Sequence, residues 1–261
     1  MIAAGLSMAV KDVQNDWYAS AFKPEMADMT WAEHTGREVD RALKMLKPRG
    51  EERILDMACG NGRHALEFRR RGFEVVGVEL SEPLLEVARA DAEAEGLDVE
   101  YLRADLREIE FEDEFDIVLN LNDGAIGYLE TEEDNKRIFE RAARALRSGG
   151  RQLMQLPNVL RAEKHSPQRT WLGGEGSIEI LDHEFNKEDH CLYGAMHLLR
   201  EGQVYNFADR IEFRQRLYTA EEIDTIVREY DMRVTNVFRG NGRARPPDDT
   251  QYEVFIEVTK A

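Results

Sequence analysis

The sequence has few cysteines and no long hydrophobic run. Two cysteines in 261 residues cannot build a disulfide framework. No apolar stretch reaches the roughly 18 residues that a membrane-spanning helix needs, so no membrane partner is expected. The first residues, MIAAGLSMAVKDVQ, lack a basic leader followed by an adequate apolar segment, which argues against a secretory signal. We therefore expect a protein of the reducing cytoplasm.

Basic residues are also scarce relative to acidic ones. The chain has 35 Lys and Arg against 52 Asp and Glu, a formal net charge of −17. Such a field repels a phosphate backbone over long range, so no nucleic-acid partner is expected. The basic cluster Arg69-Arg70-Arg71 ends a predicted helix, where cations complement the helix dipole and face solvent.

Strands and helices alternate through the middle of the chain. Strands are predicted at 53–57, 74–79, 99–104, 115–121 and 151–156, and helices at 62–71, 82–95 and 132–147. This alternation predicts an α/β fold with a mainly parallel sheet covered on both faces. Gly149-Gly150 predicts a helix stop and a turn before the fifth strand.

The segment RILDMACGNGRHA, from Arg53 to Ala65, is the most informative. A short apolar strand ends on Asp56 and turns through Gly60 and Gly62 into a helix, and ligands of such sheets lie outside the carboxyl ends of the strands. The two glycines permit a tight turn and let a ligand lie on the backbone. Glu79 ends the next strand, 23 positions after Asp56, near the spacing at which a carboxylate binds a ribose diol. A ribose-containing cofactor is therefore predicted.

Two cofactors fit this turn. Gly60-x-Gly62-x-x-Ala65 matches a relaxed dinucleotide fingerprint, but a pyrophosphate at the helix N-terminus disfavours a nearby acid such as Asp56. An acid there suits the ammonium and sulfonium of S-adenosylmethionine. Asp105, just past the third strand, is placed to accept a bond from an adenine amine. The acids favour S-adenosylmethionine over NAD.

Four segments carry a resemblance to a known family. LDMACGNGRHALEFRRRGFEVVGVELS, RADLREI, FDIVLNLNDGAIGYL and LRSGGRQLMQLPN resemble class I S-adenosylmethionine-dependent methyltransferases, over roughly Ala42 to Asn158. NDGAIGYL, RLYT and DWYASAF make the chain similar to bacterial N-methyltransferases of antibiotic biosynthesis, of the lincosamide-pathway type. The resemblance implies a Rossmann-like sheet and methyl transfer to a small-molecule acceptor.

Four parts are expected along the chain. They are an N-terminal helical cover (1–47), a cofactor-binding core (48–158), a β-rich substrate lid (159–215) and a return to the core sheet (216–261). Alternating residues at 177–181 and 191–196 predict an antiparallel insertion after the fifth strand. In the last part, Thr219 and Glu222 predict a capping box, and strands are expected at 232–239 and 252–258.

The cofactor site combines strand ends with residues implied by the resemblance. Glu79 is expected to hold the ribose, Asp105 and the Leu106 backbone the adenine, and the two turn glycines the methionine moiety. The resemblance places Tyr18 in a segment that folds over the cofactor. The complete predicted set is Tyr18, Asp56, Ala58, Gly60, Gly62, Arg63, Glu79, Leu80, Asp105, Leu106, Asn120 and Leu121.

The loop after the fourth strand supplies the candidates for chemistry. Methyl transfer requires an aligned, dehydrated nucleophile, deprotonated where its pKa demands it. Asp123 in a dry pocket is a candidate general base; alternatively it only binds an ammonium or hydroxyl group, or Asn122-Asp123-Gly124 is merely a turn. The predicted catalytic residues are Asp123, Asn122, Tyr18 and His183, and the predicted substrate-binding residues are Asn122, Asp123, Tyr128, Trp171 and Arg216.

Several alternatives stay open. Asn122 and Asp123 have no second ligand cluster at a supporting position, so no metal is expected. No residue stands out as a strong base, which favours N-methylation over O-methylation. Arg216 has a structural ion pair as its alternative role, and His64 is structural or a cofactor neighbour. Other functions are a non-catalytic cofactor-binding regulatory or scaffold protein and an NAD-dependent oxidoreductase; a homo-oligomer is also compatible with the sequence.

Overall fold

A computed structural model describes residues 13–24, 34–174, 176–244 and 246–261. The predicted N-terminal helical cover (1–47) lies partly outside these residues. Two helices of this segment are described, α1 (Trp17–Ala21) and α2 (Thr35–Leu46). Val39, Ala42 and Leu46 recur on one face of α2 and are buried, so this helix packs onto the core.

The core is a seven-stranded sheet. Its strands are β1 (Arg53–Met57), β2 (Glu74–Glu79), β3 (Glu100–Arg103), β4 (Phe115–Asn120), β5 (Leu146–Pro157), β10 (Met232–Arg239) and β11 (Glu253–Lys260). They lie in the order β10-β11-β5-β4-β1-β2-β3. The first five strands of the chain are parallel to one another, and β11 is antiparallel to both of its neighbours, β5 and β10. The predicted mainly parallel, Rossmann-like sheet is confirmed.

Helices cover both faces of this sheet. They are α3 (Arg63–Arg70), α4 (Glu82–Ala94), α5 (Glu132–Ala145) and α7 (Ala220–Val227). One hydrophobic cluster joins the sheet to α5 and α7, and another joins it to α2, α3 and α4. The predicted capping box at the start of α7 is present: the Thr219 side chain accepts from the Glu222 N–H, and the Glu222 carboxylate accepts from the Thr219 N–H.

The predicted antiparallel insertion is confirmed as a second sheet. After α6 (Val159–His165) come β6 (Gln168–Gly174), β7 (Ser177–Asn186), β8 (Cys191–Arg200) and β9 (Ile211–Arg216), paired in that order. We call this four-stranded sheet the lid sheet. The four-part division of the chain stays a prediction.

The join between α5 and β5 differs from the prediction. The helix ends at Ala145, and β5 already begins at Leu146, five residues before the predicted strand. Phe115 pairs with Leu146 and Ile117 with Arg151, so the glycine pair lies in an irregular stretch inside the strand. Gly149 has a φ of +76°, which explains why glycine is suited there. The two glycines therefore bend a strand and do not precede it.

Two further sequence features have structural explanations. In the basic cluster, Arg70 pairs with Glu67 and Glu95, and Arg71 pairs with Asp40 and Glu67, as expected for a solvated face. Across the described ranges, no helix combines the length and apolar character that crossing a bilayer demands.

Candidate active site

A cavity of about 550 Å³ lies at the carboxyl ends of the parallel strands and extends under the lid sheet. Its volume is typical of sites for small molecules. It brings together most of the predicted residues, because the loops after β1 to β4 converge at this edge. The predicted residues on its wall are Tyr18, Ala58, Gly60, Arg63, Glu79, Leu80, Asp105, Leu106, Leu121, Asn122, Asp123, Tyr128 and His183.

Glu79 is held rigidly at one end of the cavity. Its carboxylate accepts hydrogen bonds from the backbone N–H groups of Gly60 (3.0 Å), Leu80 (2.8 Å) and Ser81 (2.9 Å). Two of these bonds are to Oε1 and one is to Oε2, so Oε2 keeps a lone pair for a ligand hydroxyl. Gly60 has a φ of +58°, and no atom lies within 4 Å of where its Cβ would be. A ligand can therefore approach both the carboxylate and the bare backbone.

Gly62 and Asp56 lie behind this surface. A Cβ on Gly62 would come within 2.4 Å of the Tyr101 hydroxyl oxygen and 2.7 Å of the Ala88 Cβ. Asp56 lies within β1 and is 2% exposed. Burial raises the pKa of Asp56 to about 7, and its Oδ2 has no hydrogen-bond partner among the residues that the structure describes. Neither residue lines the cavity, so the structure places both away from direct contact with a ligand there. They can affect a ligand only through the shape of the turn between β1 and α3.

Asp105 reaches the cavity already paired with Arg107. Its Oδ2 accepts from Arg107 Nη2 at 2.6 Å, and its Oδ1 accepts from the Arg107 Nε at 3.0 Å and backbone N–H at 2.9 Å. The Arg107 side chain holds the pKa of Asp105 below its usual value. The carboxylate is thus charged and oriented, and its role toward adenine stays a prediction.

The loop after β4 has an unusual backbone. Asn122, Asp123, Gly124 and Ala125 have φ values of 50°, 72°, 51° and 63°, a left-handed run that is unfavourable for the three residues with side chains. The Asn120 Nδ2 donates to the Gly124 carbonyl at 3.0 Å and fixes this shape. Asn120 is fully buried and lies beneath the loop, so it supports the cavity wall from behind.

Asp123 is half-buried in this wall. Burial, reinforced by the nearby negative charge of Glu253, raises the pKa of Asp123 to about 7. The Tyr128 hydroxyl donates to Asp123 Oδ2 at 3.5 Å, and the Gln215 side chain also bonds to the carboxylate. Burial and the adjacent Asp123 raise the pKa of Tyr128 well above its usual value, so Tyr128 stays a proton-bearing donor.

Aromatic rings enclose the cavity between Glu79 and Asp123. The Trp17 ring lies 4.8 Å from that of Tyr128 and 6.1 Å from those of Tyr18 and Phe213, measured between centroids. Phe22 stacks on Tyr128 at 6.3 Å. Helix α1 thus closes an apolar wall across the core and the lid sheet, which excludes water from the space that it covers.

The lid sheet presents only alternate residues to the cavity. Glu179, Leu181 and His183 of β7 line it, as do Ile211, Phe213 and Gln215 of β9. Trp171 pairs with Ile180 and is 69% exposed, out of phase with these residues. Arg216 is likewise one residue out of phase, and its Nη2 pairs with Glu222 at 2.5 Å. The structure therefore places these two predicted substrate contacts away from the cavity, and Arg216 has the alternative structural ion pair.

The polar residues of the wall that the sequence analysis missed include Gln155, Glu179, Gln215 and Glu253. Gln155 bridges two of the loops, since its carbonyl accepts from the Asp123 N–H at 3.0 Å and its side chain donates to Glu253. A polar residue within the apolar run QLMQLP was the available signal for Gln155. His64 is buried and bonded to Glu38 at 2.8 Å, which matches a structural role.

Metal ligation finds no support in the residues that the structure describes. They contain no group of three or more His, Cys, Asp or Glu side chains arranged to hold an ion.

Known proteins resemble this chain in sequence and in fold. Residues 54–150 match the family described as "Methyltransferase domain". Demethylmenaquinone methyltransferase of Thermus thermophilus is 39% identical over 128 residues, 48% of this chain and 53% of that protein. The dTDP-4-amino-2,3,4,6-tetradeoxy-D-glucose N,N-dimethyltransferase of Saccharopolyspora spinosa is 29% identical over 140 residues, 51% of this chain and 54% of that protein. The chain thus spans about half the length of each of these two relatives.

The fold similarity extends over more of the chain. A crystal structure of an S-adenosylmethionine-dependent methyltransferase from Clostridium acetobutylicum superposes with a TM-score of 0.71 at 16% identity, covering 91% of this chain and 95% of that one. The second sheet is therefore included in the common architecture. Residues 54–150 therefore match a methyltransferase domain, and they lie in a sheet with a Rossmann-like fold.

Proposed function

We propose that this chain transfers the methyl group of S-adenosylmethionine to the nitrogen of a small polar amine, in the biosynthesis of a secondary metabolite. The observation that carries the proposal is Asp123. It is a carboxyl group with a pKa near 7, aimed at the cavity from a strained loop and without a cationic partner among the described residues. Raised pKa values and backbone strain at one cavity wall are typical of catalytic sites.

The cofactor end of the cavity fits S-adenosylmethionine. The oriented Glu79 carboxylate suits the ribose hydroxyls, the open backbone at Gly60 suits the methionine moiety, and Asp105 with Leu106 suits adenine. When bound, the cofactor supplies an electrophilic methyl group on a sulfonium. The residues of the chain then have to position a nucleophile and remove its proton.

Asp123 is suited to the proton transfer. A free amine attacks, so a bound ammonium must first lose a proton, and the Asp123 carboxylate is the acceptor in this account. Tyr128 stays protonated and orients the carboxylate through their hydrogen bond. The aromatic wall formed by Trp17, Tyr18 and Phe22 keeps competing water away from the nitrogen.

The pKa of Asp123 favours nitrogen over oxygen as the acceptor atom. An alkylammonium has a pKa of about 10, roughly three units above that of Asp123. An alcohol resembles water, with a pKa of about 16, and would need a much stronger base or a metal. The printed name of the Saccharopolyspora relative, an N,N-dimethyltransferase of an amino sugar, supports the same choice.

The experiment is to incubate the purified chain with methyl-labelled S-adenosylmethionine and fractions of a bacterial metabolite extract. Mass spectrometry should find the label in amine-bearing small molecules and S-adenosylhomocysteine as the co-product. Label in hydroxyl groups alone would contradict N-methylation. A chain that binds the cofactor and leaves every small molecule unlabelled would be a regulatory or scaffold protein.

A further inference from the structure

One strand of the lid sheet presents two polar side chains to the cavity. Glu179 and His183 lie on β7 at positions four apart, with Leu181 between them, and all three line the cavity wall. Because side chains alternate along a strand, these residues share one face and Ile180 and Asp182 share the other. His183 pairs across the sheet with Gly194, and the Phe213 ring fills the space that a side chain at Gly194 would occupy.

Two polar atoms on this face lack hydrogen-bond partners among the described residues. They are Glu179 Oε2 and His183 Nδ1, and both are buried. Burial alone raises the pKa of Glu179. On the opposite face of the strand, Asp182 forms two hydrogen bonds with Arg169. The acid that faces away from the cavity, Asp182, is therefore hydrogen-bonded, whereas Oε2 of the acid that faces the cavity, Glu179, has no hydrogen bond among the described residues.

Among the described residues, no charged side chain contributes to the raised pKa of Glu179, which burial alone explains. Arg63, one cation of this wall, pairs with Glu38. Arg161 stacks on the Tyr252 ring, 3.7 Å from its centroid, and donates to the Asp249 carbonyl at 3.3 Å. Buried polar groups in native proteins are nearly always hydrogen-bonded, so a pair of unsatisfied groups facing one cavity points to a ligand.

We propose that Glu179, with His183 beside it, binds a second hydrogen-bond donor of the acceptor, a hydroxyl or ammonium group distinct from the reacting amine. The acceptor is then a bifunctional amine, held at one end near Asp123 and at the other by the lid sheet. This inference rests on the proposed function, because it assumes that the cavity takes the acceptor. Glu179 is a specificity-determining residue in this account and transfers no proton.

A matched set of cyclohexane derivatives tests the inference without requiring turnover. The chain is first saturated with S-adenosylhomocysteine, and binding is measured by calorimetry. The probes are cyclohexylamine, the aminocyclohexanols and the diaminocyclohexanes, the last two as their 1,2-, 1,3- and 1,4-isomers. In the parent chain, at least one bifunctional isomer should bind about tenfold more tightly than cyclohexylamine, because it adds a charge-assisted hydrogen bond.

Glu179→Gln should remove that tenfold advantage and leave cyclohexylamine binding unchanged. Glu184→Gln is the matched control, since Glu184 is an exposed acid on the same strand that does not line the cavity. Glu179→Gln should also unfold at a temperature no lower than the parent, because it removes a buried carboxylate whose Oε2 has no hydrogen-bond partner in the described part of the chain. A clear loss of stability would instead indicate a structural role.

The outcomes separate this inference from the proposed function. It is overturned if the bifunctional amines show no advantage in the parent chain, if the advantage persists in Glu179→Gln, or if no probe binds while S-adenosylhomocysteine does. Failure of the parent chain to bind S-adenosylhomocysteine would instead overturn the proposed function. An advantage for the diamines alone identifies the second donor as ammonium, and an advantage for the amino alcohols alone identifies it as hydroxyl.

Discussion

Two aspartates near the cavity have the same raised pKa and different access to a ligand. Burial raises the pKa of Asp56 and of Asp123 to about 7. Asp56 is sealed inside β1, whereas Asp123 faces the cavity. A proton can pass between a side chain and an acceptor only within hydrogen-bond reach. Of these two carboxyl groups, only Asp123 is therefore placed to act as a base.

The first prediction concerns the pH dependence of turnover. A base with a pKa near 7 is protonated and inactive below that pH, so kcat should rise as the pH increases from 6 to 8. Asp123→Asn should lower kcat by about 100-fold or more and remove this limb from the profile. The measurement is kcat against pH at saturating acceptor, with Asp98→Asn, an exposed acid outside the cavity, as the control. An unchanged profile in Asp123→Asn would show that this side chain takes no proton.

The individual cavity residues that could be predicted from the sequence are those at or just after the end of a strand. Glu79 and Asp123 were accessible to sequence analysis because strand ends meet at the ligand edge of a parallel sheet. Glu253 belongs to the last strand and reaches the same cavity only through the antiparallel pairing of β11 with β5. The sequence around Glu253 gives no sign of this long-range contact. Residues of this kind can be assigned to the cavity only from the tertiary structure.

The strands of the lid sheet could be predicted from the sequence, but the face of each strand that lines the cavity could not. Alternating residues predicted antiparallel strands at 177–181 and 191–196, and the sheet is present. The face of each strand that meets the core depends on register, and a shift of one residue exchanges the faces. Trp171 and Arg216 lie one residue out of phase with the cavity, and Glu179 lies in phase. The core strands were easier to predict from the sequence, because a strand that is buried on both faces appears as a continuous apolar run.

The helix α7 provides a prediction about stability that is separate from ligand binding. Thr219 and Glu222 each satisfy a backbone N–H of the other at its start. Thr219→Ala should lower the free energy of unfolding by about 1 kcal/mol, and the melting temperature by roughly 2–4 °C. Thermal unfolding measures the change, with Thr225→Ala, an exposed position in the same helix, as the control. Binding of S-adenosylhomocysteine should not change, and a large loss of binding would mean that α7 shapes the cavity.

For the whole molecule, the net charge and the arrangement of the acids around the cavity both suit cationic ligands. A net charge of −17 attracts cations over long range, which suits an amine acceptor and a cationic cofactor. The parallel sheet positions the acids of the proposed cofactor end and also Asp123, and the lid sheet adds Glu179 at the proposed acceptor end. A single cavity thus joins two recognition surfaces that come from distant parts of the chain. The aromatic wall from α1 closes the space between them.

The central claim is that Glu79 and the turn at Gly60 bind the ribose and methionine parts of S-adenosylmethionine. Calorimetric titration with S-adenosylhomocysteine, of the parent chain and of Glu79→Ala, tests it most directly. The parent chain should bind, and Glu79→Ala should bind roughly 30- to 150-fold more weakly, because it loses a charge-assisted contact with the ribose of about 2–3 kcal/mol. The control is Glu82→Ala, at a partly exposed acid three residues after Glu79 that pairs with Arg89, and it should bind like the parent. Equal binding by Glu79→Ala and the parent, or tight binding of NAD with none of S-adenosylhomocysteine, would contradict the account.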